Sequence, residues 1–135
     1  MATDIWERCD AIEECYEFML AYAAQGLPSD ASNPRIREFL RRAAKALCGL
    51  ASCCAATVQE AGLEPADRYL AFLDVLHRDA EDSVAAMELV LVQPVISSQL
   101  IDNLNASIHL RALLTDLFLF TEILRARPAM ETTTT

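Results

Sequence analysis

The sequence predicts an all-α domain, an up-down-up-down antiparallel four-helix bundle. Three observations carry that prediction. Helix breakers are scarce, with 3 glycines and 5 prolines in 135 residues. Alanine and leucine, both strong helix formers, are abundant. Apolar residues recur at helical spacing over segments of many turns. A chain of this length suits one domain that buries its own core without disulfides or metal. That domain is expected over residues 1–127, with a disordered tail at 128–135.

Each helix has a start and a stop signal. The first is expected from about Asp4 to Gln25. Asp4 can cap it, Glu7 sits three residues on as in a capping box, and Gly26 with Pro28 ends it. A loop, "GLPSDASN", follows. The second helix is expected over 34–61, with Asn33 as cap, Pro34 at its first position and Gly62 closing it. The third spans 65–92, with Glu64 as cap, Pro65 opening it and Asp67 in its first turn. Pro94 blocks easy continuation, so a turn is placed over 93–97. Ser97 or Ser98 then caps a fourth helix over 98–126. Short connections make sequential helices antiparallel. The competing geometry fuses helices three and four into one rod kinked at Pro94, in a three-helix chain that dimerises.

Charge narrows the partners. The formal net charge is −9, from 11 basic and 20 acidic side chains. A duplex or an anionic membrane is repelled by such a field, so neither is expected as a partner. The opening "MATDIWERCD" has no basic region followed by an apolar run, and the apolar tract 110–124 is interrupted by Arg111, Asp116 and Glu122. A cytoplasmic location is the expectation. The 5 cysteines, odd in number and without framework spacing, agree with it.

Three of those cysteines crowd the stretch "ALCGLASCC". On a helical wheel Cys54 falls on the apolar stripe of helix two, while Cys48 and Cys53 lie on opposite borders, about 140° apart. Side chains that diverge this way do not chelate one ion locally. Packing is the favoured reading, since buried free cysteine behaves as a small hydrophobe. A site built across helices from Cys9 and Cys54 is the alternative. Asp74, His77 and Glu81 share one edge of helix three and form the other candidate metal strip. A solvated seam is the favoured reading of that strip. Di-iron bundles need a Glu-x-x-His motif on each of two helices, and this chain has none. His109 shares a face with Asn105 and Asp116, which reads as a polar strip at a helix contact. No phosphate loop or nucleophile elbow is present. Neither an enzyme activity nor a cofactor is expected.

What remains is an apolar surplus. Helix one has a main stripe of Ile5, Cys9, Ile12, Tyr16, Met19 and Ala23, with Phe18 and Tyr22 lying off it. The second half of helix four is apolar almost all round. A helix apolar on two faces needs a second neighbour. The sequence therefore predicts a homodimer through helices one and four, with Phe18, Tyr22, Leu119 and Phe120 as anchors. Five basic residues crowd "RIREFLRRAAK". An internal charge seam with Glu13, Glu14 and Glu17 is one reading, and a patch for an acidic partner using Arg37 and Arg41 is the other. The expected function is non-enzymatic protein–protein interaction, as an adaptor, small chaperone or accessory factor. The alternative is a bundle binding a metal or small ligand.

Overall fold

The computed structural model describes residues 2–127, and the side chains from Asp4 onward. The expected tail at 128–135 lies outside the described residues. Within them the chain is all-helical, with six helices rather than four and no strand: α1 (Ala2–Ala24), α2 (Arg35–Leu47), α3 (Leu50–Ala61), α4 (Ala66–Leu91), α5 (Ser98–Ala106) and α6 (Ile108–Arg125). No described helix is long and apolar enough to cross a membrane.

Two expected helices are broken. The 34–61 helix divides at Cys48–Gly49. Gly49 takes φ +83°, a left-handed conformation that ends α2 and opens α3. Arg8 holds the break from outside. Its Nη1 donates to the carbonyls of Ala46 at 2.9 Å and Cys48 at 2.7 Å, two acceptors freed where α2 stops. The 98–126 helix divides at Ser107, whose hydroxyl accepts from Leu110 N–H at 3.3 Å and caps α6.

Other ends differ in detail. Asp4 lies inside the first turn of α1, paired with Arg8 at 2.9 Å, and caps nothing. Pro34 rather than Asn33 is the residue before α2, with no side-chain cap, and Asn33 instead donates to Gln25. Pro65 precedes α4, and the Glu64 carboxylate accepts from Ala66 N–H at 3.4 Å. Pro94 lies in a turn between separate helices, so the kinked-rod alternative does not hold. Ser97 caps α5, accepting from Leu100 N–H at 3.0 Å.

α1 packs on α2 and α5, and α4 packs on α2, α3 and α6. The core is a continuous apolar cluster in which Ile5, Leu40, Leu50, Leu76, Ile101 and Leu117 are fully buried. Each such side chain contributes about 1.5–3 kcal/mol relative to its exposed state.

One end is laced by hydrogen bonds between segments far apart in sequence. Tyr22 OH donates to the Ile96 carbonyl at 2.6 Å, and Ser98 OH donates to the Tyr22 carbonyl at 2.6 Å. Leu27 and Ser98 exchange two further bonds of 2.8 Å. Arg37 donates to the carbonyls of Leu91 and Gln93, both at 2.9 Å, and to the Asp30 carboxylate at 2.7 Å. Asp30 also accepts from Ile96 N–H at 3.0 Å. The Arg37 guanidinium thereby neutralises the carbonyl end of α4.

Candidate interaction surface

The outer face of α6 is apolar and uncovered. Phe118 is 47% exposed, Leu119 50%, Ile123 40% and Ile108 74%. At about 100° per residue, Ile108, Ala112, Thr115, Leu119 and Ile123 fall within an arc of about 80°. The opposite face of the same helix is core: Leu110, Leu113, Leu117 and Phe120 are buried. α6 is therefore apolar on two sides, and its own chain covers one.

The anchors expected on helix one are absorbed internally. Tyr22 has no exposed surface, and its ring lies in the core while its hydroxyl is bonded to Ile96. Burial, and then the nearby Asp30 charge, push the Tyr22 phenol above its ordinary range. Phe18 is half-buried and stacks on Phe39 of α2, with ring centroids 4.3 Å apart. Cys15 is buried, while Tyr16 and Ala23 are only partly so. The buried stripe of α1 is thus rotated from the expected one, because α2 and α5 flank it on two sides. Phe120 points inward as well. Of the four expected anchors, Leu119 alone lies open. The exposed large apolar side chains of α6 are Ile108, Phe118, Leu119 and Ile123.

Comparison with protein-family models, with curated proteins and with solved structures finds no match.

The basic run is occupied at home for the most part. Arg37 is the staple described above. The guanidinium of Arg35 lies 5.2 Å from the Phe39 ring centroid, and that of Arg42 lies 5.6 Å from it. Arg42 also pairs with Glu14 at 3.1 Å, both exposed, so one bond of the expected charge seam forms. Arg41 is exposed to solvent. Arg37 and its hydrogen bond, with that of Ile96, hold the Asp30 carboxyl below the usual carboxylate range.

Cys9, Cys15 and Cys54 are buried, Cys53 is half-buried and Cys48 is exposed, all as free thiols. Burial pushes the thiols of Cys9, Cys15 and Cys54 up to about 12. They stay protonated at neutral pH, which makes them poor nucleophiles. The half-buried Cys53 donates to Asp4 at 3.4 Å. His77 Nε2 and Glu81 lie 3.2 Å apart, both more than half exposed, with Asp74 also on the surface. Among the described residues no group of three or more His, Cys, Asp or Glu side chains is placed to hold an ion. His109 is exposed and sits 3.9 Å from Asp82.

The packing of α6 on α4 creates a pair the sequence does not announce. Asp116 Oδ2 is buried without a hydrogen-bond donor, and so is Asn105 Oδ1. Beside Asp116 stands the Asp79 carboxyl of α4. Burial, then the neighbouring Asp79 carboxyl, pushes Asp116 up to about 7. Two adjacent carboxylates repel, which favours the neutral form of Asp116.

Proposed function

We propose that this protein is a non-enzymatic helical interaction protein that associates with a second copy of itself through α6. In this reading the six helices form four antiparallel rods, α1, α2–α3, α4 and α5–α6. The meeting of the α1 end with the α5 start, and of the α2 start with the α4 end, supports that arrangement. The protein then works in the cytoplasm, where its thiols stay reduced.

The observation that carries the proposal is the uncovered face of α6. Phe118, Leu119 and Ile123 together leave nearly half their side-chain surface in water. Covering that surface on association removes apolar area from water, which is favourable. The Cys9 and Cys54 alternative has no third ligand placed beside it among the described residues.

Multi-angle light scattering across micromolar concentrations tests the proposal. The expected mass rises toward twice the monomer with concentration, and Leu119→Asp returns it to the monomer with unchanged far-ultraviolet circular dichroism. A wild-type protein that stays monomeric throughout refutes it.

A further inference from the structure

We infer that two copies of the chain pair α6 against α6 antiparallel, about a two-fold axis crossing between Thr115 and Asp116, with Arg111 of each copy facing Glu122 of the other. This inference rests on the self-association proposed above and specifies its partner surface.

Charge favours a second copy as the occupant. α6 carries two arginines and two acidic residues, so it is neutral apart from His109. The whole chain carries −9. The Arg111–Glu122 flank of α6 is balanced in charge, whereas Asp79 and Asp82 of α4 stand beside the other flank, so two copies of so acidic a protein meet with least repulsion along the balanced flank.

An ion pair split between two molecules fixes the direction. Arg111 and Glu122 are both exposed. Neither the guanidinium nor the carboxylate has an ion-pair or hydrogen-bond partner among the described residues. They are eleven residues apart, three turns, and so lie on the same flank of the apolar stripe, about 20° from each other. In an antiparallel two-fold pair, like flanks face one another. Arg111 then stands within about 3 Å, measured along the axis, of Glu122 on the second copy. Symmetry makes the contact twice.

Shape agrees with charge. The same axis sets Leu119 on Ala112 of the second copy, and Ile123 beside its Ile108. Large residues meet small ones about one turn to either side of the axis, where the two Thr115 side chains come together. A parallel pair would set Leu119 on Leu119 and Ala112 on Ala112, and leave a gap. The stripe from Ile108 to Ile123 is about 22 Å long. A contact confined to one helix pair falls at the low end of interface areas, below about 1,200 Å², the class of weak and transient contacts.

The test exchanges charges. Arg111→Glu and Glu122→Arg are prepared separately, at exposed positions whose charged groups bond to nothing among the described residues. Each variant is expected to raise the dimer Kd by about tenfold or more, because the axis doubles every substitution. Mixing the two is expected to restore association to within about threefold of the wild type, as a heterodimer in which both pairs are re-formed. Sedimentation velocity reads all three samples, and circular dichroism checks each fold. Single variants that dimerise like the wild type, or a mixture that stays dissociated, overturn the antiparallel register. If Leu119→Asp still abolishes association in that case, the α6 interface stands and only this geometry fails. A monomeric wild type removes both.

Discussion

Replacing Asp116 with asparagine should stabilise the protein at neutral and alkaline pH. The asparagine amide keeps the shape of the carboxyl and removes the buried charge that Asp116 acquires beside Asp79. The size follows from the displacement of Asp116 from 3.8 to about 7. At about 1.4 kcal/mol per unit, the ceiling is about 4 kcal/mol. Asp116 and Asp79 are only half-buried, and water reaching the seam screens them, so about 1–2 kcal/mol is expected. The sign depends on pH. A carboxyl whose folded pKa is raised contributes its full stability below its unfolded value of 3.8 and loses it as pH rises to about 7. The gain from Asp116→Asn is therefore absent below about pH 4, grows through the window and is constant above about pH 7. Urea titrations followed by circular dichroism at the two ends of that window measure it. An equal gain at both ends, or a loss at the alkaline end, refutes the raised Asp116 pKa.

Two other results follow from the described contacts. Arg37→Ala removes the donor to Asp30, Leu91 and Gln93, and should cost about 2–4 kcal/mol at neutral pH. Because Arg37 holds Asp30 below its ordinary range, the Asp30 part of that loss fades as pH falls through the folded Asp30 pKa, and paired urea titrations would show it. Ellman's reagent should modify the exposed Cys48 at once and Cys53 more slowly, leaving Cys9, Cys15 and Cys54 untouched until denaturant is added. Fast reaction at three or more thiols in the native protein would contradict the packing role assigned to them.

Helix class and most of the core are readable in the sequence because apolar spacing survives small breaks. Across Gly49 the buried series Ile36, Leu40, Ala43, Leu47, Leu50, Cys54 and Val58 keeps its phase, so the stripe is right where the helix is not continuous. The break itself has one signal, a lone glycine within a helical pattern, and a single glycine costs only about 1 kcal/mol there. Ser107 offers less, because serine is tolerated inside helices and becomes a cap only when the chain turns. A helical wheel with one neighbour has no inner place for Tyr22, yet the ring is buried between two. Its hydroxyl partner, the Ile96 carbonyl, is 74 residues away. The Asp79–Asp116 contact is likewise made by packing alone, between helices whose sequences give no hint of register. Leu119 is legible because exposure on α6 follows from simple surplus, with no long-range contact needed.

The lacing of Tyr22, Arg37 and Ser98 gives the molecule a hard end and a softer one. The segment between α4 and α5 is not slack chain there, since the carbonyls of Gln93 and Ile96 are each claimed by a donor from elsewhere. Lengthening it by one residue would pull both acceptors off their donors together. The connection around Gly62 is tied by fewer such bonds, and a tag or a new terminus belongs on that side. Opening motions that loosen the helices should also begin there, with the stapled end the last to exchange its amide protons.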